Sequence, residues 1–551
     1  TEAILGRTLR NLLNALAPLP LLAALPSLPP LPLPTRTARP RLRLGFGFPP
    51  PSLAMKKKHT PASCVALLLA ALVLSGDVAG ATSFNYKDAL TKSILFLEAQ
   101  RSGKLPPDNR IKWRGDSGME DGKLAHVDLT GGYYDAGDNV KYGLPLAFTV
   151  TTLAWAALAF KPELQAAGEL KHVQEAIRWG TDYMLKCAAK KNHMWVQVGD
   201  PNLDHQCWVR PENMPTPRTL YQIDGNTPGT EIAAETAAAL AASAMVFRND
   251  KNYARRLMNK AKLLYQFAKS HLKTYDGECP FYCSYSGYND ELLWAATWLF
   301  MATKRQVYAD FITHEAISSS VAEFSWDLKY PGAQILLAPH NMNASGGMQS
   351  YKTQADNFVC AVLPDTPFHQ VFITPGGMIH LRDGANSQYV TGTAFLFLVY
   401  ADWLHTARQD VMCGATPIKP ARLREFAKQQ MDYLLGANPR GRSYVVGFGA
   451  NPPTQPHHRG ASTPVLKPGT VVNCGMSFGD WFAPDRPNPN ELTGAIMGGP
   501  DGADNFIDKR NASACTEPCT YINSLAIGAL AALAGRGPNL VASKSHGYDQ
   551  M

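Results

Sequence analysis

The 551-residue sequence predicts an all-α fold in which pairs of helices are arranged in a ring. Apolar residues recur at three- and four-residue spacing in many segments, while convincing alternating strands are nearly absent. A helical solenoid is the rival architecture, but no fixed repeat period supports it. Long loops rich in Gly, Pro, Asp, Asn and aromatic residues join the segments, as is typical of functional loops. The predicted helices are 86–100, 145–159, 166–190, 231–248, 253–272, 290–303, 308–324, 349–363, 388–405, 420–435 and 520–533.

The N-terminal part of the chain divides into two pieces ahead of the helices. Met55 is followed by three lysines, an apolar run over 65–74 and the small residues Ala79-Gly-Ala81, which is the pattern of a cleaved signal peptide over 55–81. A membrane anchor is the alternative, and the cleavage site argues against it. Residues 1–54 are rich in Leu, Pro and Arg without period, so we expect a disordered or non-native extension there. The predicted mature domain is 82–551.

Charge and cysteine content exclude two classes of function. The formal net charge is +8, but the basic residues of 1–58 are balanced by a single acid, Glu2, and the remainder is close to neutral. This distribution does not indicate a nucleic-acid partner. Ten cysteines are present, and removal of Cys64 with the signal leaves an odd number, so at least one should be free. Their spacing does not indicate a metal site.

The segment Asp128-Leu-Thr-Gly-Gly-Tyr-Tyr-Asp-Ala-Gly-Asp-Asn139 contains the first candidate chemistry. Asp135 and Asp138 lie three residues apart around Gly137, and glycine lets backbone and side chains crowd a substrate. Two nearby carboxylates can hold one water molecule between them, with one accepting its proton. From spacing alone, a calcium loop or an Asx-turn is an equally good interpretation.

Two further segments carry candidate polar groups. Glu517 follows Thr516 and stands just before an apolar helix, where either residue is also a good N-terminal cap. In Pro456-His457-His458-Arg459, one histidine together with Arg459 suits hydrogen bonding to sugar hydroxyls or orientation of a carboxylate. A solvated polar loop is the competing interpretation of this second segment.

Aromatic residues in and beside the loops suit stacking against the apolar faces of sugar rings. Trp113, Trp208, Trp326 and Tyr285 are candidates of this kind. Core packing is the usual alternative for tryptophan. Trp294 and Trp298 are spaced for one helix face, and we expect both to lie mostly in the core.

Taken together, these segments resemble glycoside hydrolase family nine, and most closely its plant endoglucanases. The resemblance covers nearly all of 84–533, with long segments in the same order: DLTGGYYDAGDNVKYGLPLAFT, CPFYCSYSGYNDELLWAATWLF, GGMIHLRDGANSQYVTGTAFLFLVYADWL and TGAIMGGPDGADNFIDKRNASACTEPCTYINS. The resemblance implies an (α/α)6 barrel whose loops form an open cleft at one end. It implies an inverting, secreted endo-β-1,4-glucanase of the apoplast or cell wall that needs no cofactor, although some relatives carry structural calcium.

The resemblance also implies roles for individual residues. Asp138 would be the general base, Asp135 would help to hold the water and Glu517 would be the general acid, protonated in the free enzyme. His457 and Arg459 match the family's HxR motif, and Asp508 would have a supporting role, orienting a positive partner. An inverting pair needs carboxyl groups roughly 6.5–9.5 Å apart, so that water fits on the far side of the sugar. Substrate contacts are predicted for Arg459, Tyr134, Trp208, Tyr285, Trp326 and Tyr521.

Two positions depart from the plant pattern and leave a second function open. Ser513 stands where plant members usually have an aromatic residue, and Gly384 lies in a stretch that usually contains a Trp. A weakly active or inactive glucan-binding protein on the same scaffold is therefore the alternative. A helical interaction scaffold is a third hypothesis, which predicts no carboxylates in a cleft. We further expect a monomer without a membrane anchor, a β-1,4-glucan as partner, and glycosylation sequons at Asn343 and Asn511.

Overall fold

The computed structural model describes residues 84–277, 279–344, 349–467 and 469–535, so the predicted extension and signal peptide lie outside the described residues. Helices dominate the described part and confirm the all-α prediction. In chain order they are α1 (Tyr86–Ala99), α2 (Gly143–Ala159), α3 (Lys161–Ala167), α4 (Leu170–Cys187), α5 (Pro201–Asp204), α6 (Thr230–Val246), α7 (Lys251–Ser270), α8 (Asn289–Thr303), α9 (Gln306–His314), α10 (Tyr330–Leu337), α11 (Tyr351–Val362), α12 (Ser387–Ala407), α13 (Pro420–Leu435), α14 (Arg459–Ser462), α15 (Cys474–Ser477), α16 (Ser513–Thr516) and α17 (Thr520–Ala534).

The long helices form two concentric rings. Helices α2, α6, α8, α10, α12 and α17 pack in sequence, and α17 closes the inner ring against α2. Helices α1, α4, α7, α9, α11 and α13 each pack on the outside of one inner helix. This arrangement confirms the (α/α)6 barrel that the sequence resemblance implies.

Composition decides which ring a helix joins. Inner helix α6, TEIAAETAAALAASAMV, is buried along nearly its whole length, because small side chains let its neighbours approach on every side. Outer helix α7, KNYARRLMNKAKLLYQFAKS, buries one stripe that contains Tyr253, Leu257, Ala261 and Leu264 and leaves its charged face in solvent. The alternation of these two kinds of helix along the chain therefore builds the double ring.

Two sequence predictions of helix extent were wrong. The segment 308–324 is not one helix, because α9 ends at His314 and a loop follows. Helix α10 is absent from the predicted set although it belongs to the inner ring. It has only eight residues and begins with Tyr-Pro-Gly, and such a short apolar segment has weak periodicity.

Buried tryptophans form an aromatic cluster between the inner helices. Trp294 and Trp298 are fully buried, which confirms the prediction of a core position for both. Their rings lie 5.7 and 5.8 Å from the ring of Trp155 in tilted and edge-on arrangements. Phe395 contacts the same Trp155 ring at 5.1 Å. These rings join three inner helices through one aromatic cluster.

A buried group of charges lies beside this cluster, and we call Lys329, Glu235, Asp290 and Glu291 the core charge cluster. The Lys329 ammonium pairs with Glu291 at 3.0 Å and Glu235 at 3.7 Å, and all three side chains are shielded from solvent. The backbone N–H of Lys329 donates to Asp290 at 2.8 Å. Burial raises the pKa of Glu291 well above its usual value, and the charge of Asp290 adds to this effect. The cluster ties α6, α8 and the start of α10 together.

The strands are short and form two separate sheets. Strands β1 (Lys141–Tyr142), β2 (His193–Val198) and β3 (Leu220–Asp224) form an antiparallel sheet in that order, with Lys141 opposite Val198. Strands β4 (Val411–Cys413) and β5 (Thr416–Ile418) form a hairpin. Because β1 directly follows the Asp135–Asp138 loop, the first sheet anchors that loop to the barrel.

Disulfides secure several of the loops. The pairs are Cys207–Cys474, Cys279–Cys283 and Cys360–Cys413, and Cys187, Cys515 and Cys519 are free. This pairing agrees with the prediction of at least one free thiol. In the described residues no single helix is long and apolar enough to cross a membrane, although α2 and α3, bent by 87°, pass that test as a pair.

Candidate active site

An open cavity of about 630 Å³ lies at the loop end of the barrel. Asp138 and Glu517 both line it, together with Tyr285, Trp326 and Tyr521. The structure therefore brings two remote carboxylates and three of the predicted substrate-binding aromatics to one cleft. The remaining wall includes Tyr142, His205, Phe281, Tyr282, Asp327, Arg382, Gly384, Gln388, Tyr389, Ser513 and Cys519.

Asp138 has the environment of a strong carboxylate base. Its side chain is nearly buried, and Oδ1 has no hydrogen-bond partner among the described residues. Burial raises the pKa of Asp138 well above its usual value, the negative charge of Asp204 raises it further, and the Arg459 guanidinium opposes the shift. A carboxylate with a raised pKa that lines a cavity is suited to accept a proton.

Asp135 is held more tightly than Asp138. Its Oδ2 accepts a hydrogen bond from the Tyr282 hydroxyl, and its Oδ1 accepts one from Thr520 Oγ1 at 2.8 Å. The backbone N–H of Thr520 donates to the carbonyl of Asp135 at 2.9 Å. Burial raises the pKa of Asp135 to about 6, although both hydrogen bonds work against the shift. The side chain of Asp135 therefore accepts from two hydroxyl groups and does not form an Asx-turn.

Gly137 joins the loops that carry the two candidate catalytic carboxylates. Its N–H donates to Glu517 Oε1 at 3.1 Å, and its carbonyl accepts from the Arg459 N–H at 3.0 Å. A Cβ at position 137 would lie 2.1 Å from the carbonyl oxygen of His457. Glycine is therefore required here because the 457–459 segment passes directly against the Asp138 loop.

Glu517 does not cap the N-terminus of α17. Helix α17 begins after Cys519, which makes no side-chain capping hydrogen bond. Glu517 Oε1 instead accepts a hydrogen bond from the N–H of Gly137 in the neighbouring loop. Thr516 Oγ1 donates to the carbonyls of Lys509 and Ala512 and so does not cap α17 either. Both capping alternatives are therefore excluded, and the half-buried Glu517 carboxyl is directed to the cavity.

The two histidines of the 457–459 segment have different surroundings. His457 Nδ1–H donates to the Arg510 carbonyl at 2.7 Å, and the His457 N–H donates to the Thr516 carbonyl at 3.0 Å. His458 is buried, and burial lowers its pKa to about 3, so its ring is neutral. His458 Nε2 donates to Gln100 Oε1, because the Ala461 N–H already occupies Nδ1. The segment is thus a fixed support and not a solvated loop.

Asp204 and His205 lie close to Asp138, with potential ligand atoms of the three residues within 4.8 Å of one another. Arg459 Nη1 pairs with Asp204 Oδ2 at 2.9 Å, so this group already contains a cation. We therefore assign no metal to it.

Asp508 lies in a supporting position outside the cavity lining, beside a positively charged partner. Its carboxylate accepts from the N–H groups of Thr454 and Gln455 at 2.9 and 3.1 Å and pairs with Arg442 at 3.2 Å. Asp508 is not among the residues that line the cavity. Its contacts hold the start of the loop that leads to His457, and its positive partner is Arg442.

Comparison with known proteins identifies the family. The family model described as "Glycosyl hydrolase family 9" matches residues 86–530. The chain belongs to glycosyl hydrolase family 9. "Endoglucanase 8" of Oryza sativa subsp. japonica is 81% identical over 492 residues, which cover 88% of this chain and 98% of the relative. "Endoglucanase 16" of Arabidopsis thaliana is 64% identical over 454 residues, which cover 82% and 93%.

Solved structures of similar proteins agree with this assignment. An endoglucanase of the termite Nasutitermes takasagoensis superposes with a TM-score of 0.72 at 36% identity, covering 83% of this chain and all of that one. Endoglucanase CelQ of Clostridium thermocellum, solved in complex with cellotriose, gives a TM-score of 0.70 at 33% identity, covering 83% and 71%. The protein is therefore a glycoside hydrolase with the family 9 fold.

Three residues predicted to contact substrate in this family 9 enzyme are not among those that line the cavity. Tyr134 is buried, and its hydroxyl donates to Ser117 Oγ at 3.1 Å, away from the cavity. Trp208 is buried under His457, with Nε1 donating to Ser462 Oγ at 2.7 Å. The enclosed Arg459 pairs with Asp204. A loop sequence does not indicate side-chain direction, and all three side chains turn inward to support the cleft.

The structure also adds residues that the sequence did not single out. Tyr282 and Thr520 fix Asp135, while Asp204 fixes Arg459. His205 lies beside Phe281 in the cavity wall with its ring stacked at 5.0 Å. The polar residues of the 200–205 stretch were the available signal, but nothing in their spacing connects them with Asp138. Gly384 and Ser513, which depart from the plant pattern, both line the cavity of this family 9 enzyme.

Proposed function

We propose that the enzyme hydrolyses internal β-1,4-glucosidic bonds of cellulose or a related wall glucan with inversion, with Asp138 as general base and Glu517 as general acid. Family membership and the two endoglucanases at 81% and 64% identity support the endoglucanase activity. The observation that carries the residue assignment is that the nearly buried Asp138 lines the same cavity as Glu517.

The base side consists of Asp138 with Asp135 behind it. A water molecule in the cavity beside the Asp138 carboxylate gives its proton to that carboxylate as the water attacks the anomeric carbon. Asp135 cannot take the same role, because Tyr282 and Thr520 already donate to its two oxygens. Its negative charge instead raises the pKa of Asp138 and helps to orient the water that attacks.

The acid side consists of Glu517. Its carboxyl faces the cavity, and the Gly137 N–H fixes Oε1 relative to the Asp138 loop. In the proposed reaction Glu517 gives its proton to the glycosidic oxygen as that bond breaks, while the water attacks from the opposite face of the ring. Attack from the far side inverts the anomeric centre, so a β-linked glucan yields an α-anomer.

Substrate binding and location complete the proposal. The exposed Tyr285 ring and the half-buried Trp326 offer stacking platforms along an open cleft, which suits an internal stretch of a polymer. The signal-like segment 55–81 supports secretion to the apoplast or cell wall, with 82–551 as the catalytic domain acting as a monomer. The absence of aromatic side chains at Gly384 and Ser513 favours weak glucan binding without turnover as the second candidate.

Leaving-group dependence separates the two proposed carboxylate roles. Glu517→Gln should lose most activity on β-glucan and recover much of it on an aryl β-cellobioside whose phenol needs no protonation. Asp138→Asn should remain inactive on both, because a good leaving group does not supply a base. The surface variants Glu120→Gln and Asp310→Asn are the matched controls, and both should retain wild-type rates.

Two results contradict the proposal. If Asp138→Asn recovers with the activated substrate and Glu517→Gln does not, the two roles are reversed. If the wild-type protein releases no reducing ends from soluble β-glucan, yet its migration is retarded in a gel that contains the glucan, the glucan-binding candidate is correct.

A further inference from the structure

Asp204 lies close to the proposed base, at the end of a short capped helix. It ends α5, a four-residue helix capped by Asp200, whose side chain accepts from the N–H groups of Asn202 and Leu203. The Asp204 N–H donates to the Asp200 carbonyl at 2.8 Å. Its side chain is buried, and Oδ1 has no hydrogen-bond partner among the described residues. A buried, incompletely satisfied carboxylate costs free energy, so its place requires an explanation.

The partner of Asp204 connects it with the catalytic loop. Arg459 Nη1 lies 2.9 Å from Asp204 Oδ2, and the N–H of Asn139, the residue after Asp138, donates to the same oxygen at 3.4 Å. The Arg459 backbone is fixed separately by its bond to the Gly137 carbonyl, and its guanidinium lies 5.3 Å from the Trp208 ring. The guanidinium acts on the charge of Asp138, but its ion pair is with the other carboxylate, Asp204.

We propose that Asp204 is a positioning residue for the general base, whose carboxylate holds the Arg459 guanidinium and keeps it from pairing with Asp138. This inference rests on the proposed function of Asp138. Among the described residues, Asp138 is a buried carboxylate that remains close to this group when Asp204 is absent. A direct Arg459–Asp138 pair would neutralise the carboxylate of the base and make it a weaker proton acceptor.

The sign of the expected pH effect follows from the charges that face Asp138. Asp204 and Arg459 approach from other elements with opposite signs and compete. The remaining titratable groups stay in place in every variant, and they are Glu517, Asp135 and His205. Loss of the Asp204 charge should lower the pH at which the base ionises, whereas loss of the Arg459 charge should raise it.

The test is the acid limb of the pH profile of kcat/KM on soluble β-glucan, which reports the base in the free enzyme. For Asp204→Asn we expect a limb about one pH unit below that of wild type and a lower plateau. For Arg459→Gln we expect a shift of similar size to higher pH. The double variant should lie between the two single variants, and Asp204→Glu should recover part of the wild-type profile. Asp310→Asn is the surface control.

A purely structural role for Asp204 would lower the plateau and leave the limb unmoved, and that result overturns the proposal. If Asp204→Asn does not fold, the acid limb of the double variant, Asp204→Asn with Arg459→Gln, is compared with that of Arg459→Gln alone. Identical acid limbs in those two proteins overturn the proposal. Failure of the proposed function is distinguishable, because Asp138→Asn would then retain its activity whatever Asp204 does.

Discussion

Two groups of buried charges in this barrel have similar composition and different environments. The core charge cluster sets Glu235, Asp290 and Glu291 around Lys329, and the cleft group combines Asp135, Asp138 and Asp204 with Arg459. In the core, the cation is in direct contact with its carboxylates at 3.0 and 3.7 Å, and the side chains are shielded. In the cleft, the cation pairs with Asp204, and Asp138 lines a cavity.

The comparison shows that burial and perturbed acidity do not by themselves identify a catalytic group. Burial raises the pKa of Glu291 as well as that of Asp138, yet only Asp138 has access to substrate. The two groups are also connected in function. Lys329 Nζ donates to the Trp326 carbonyl, so the core charge cluster helps to hold the aromatic wall against which a glucan stacks.

The largest expected effect separates the two groups by activity. Asp138→Asn should lower kcat on β-glucan by about 10²–10⁴-fold, because the proposed reaction then lacks its general base. Its melting temperature should not fall, since a buried charge has been removed. The corresponding core change, Glu235→Gln, should leave kcat of the folded protein near wild type. Equal losses of kcat in both variants would remove the distinction between the groups.

The next effect separates them by stability. Lys329→Met leaves the core carboxylates without their cation, and we expect the free energy of unfolding to fall by about 3–5 kcal/mol. Urea denaturation followed by circular dichroism measures this loss. Lys171→Met removes an exposed lysine and should change stability little. A Lys329 variant as stable as this control would mean that the core carboxylates are protonated and need no partner.

The smallest effect is a pH dependence within the cleft group. The pKa of Asp135 in the folded protein is about 6, above its usual value, so the group favours folding below pH 4 and that contribution is lost as pH rises through 6. Asp135→Asn does not titrate. Relative to wild type, its unfolding free energy should therefore improve by on the order of 1 kcal/mol between pH 5 and 7.5. Parallel stability curves would show that Asp135 has an ordinary acidity.

The fold was largely predictable, and the exceptions have physical causes. Helices α2, α6, α12 and α17 were predictable because each is long and apolar over nearly its whole length. Helix α10 escaped because eight residues that begin with Tyr-Pro-Gly carry little periodic signal. The (α/α)6 arrangement itself came from resemblance to a family, since spacing alone indicates helices without the order in which a ring closes.

The candidate site was predictable in its reacting groups and less so in its supports. Asp138 and Glu517 lie in long distinctive segments, so their identity could be transferred. Tyr134, Trp208 and Arg459 lie in equally distinctive segments, but their side chains turn inward, and direction depends on tertiary packing. Asp204 acts only through Arg459, 255 residues further along the chain, and sequence carries no local signal of such a pair.

The most direct test of the proposed Asp138–Glu517 pair is the configuration of the first product. Proton NMR of a soluble β-1,4-glucan during the first minutes of hydrolysis resolves the two anomers before they equilibrate. If Asp138 activates water opposite Glu517, the α-anomer appears first and the β-anomer follows by mutarotation. Initial release of the β-anomer would show a covalent glycosyl-enzyme intermediate and contradict the assignment of Asp138 as a general base.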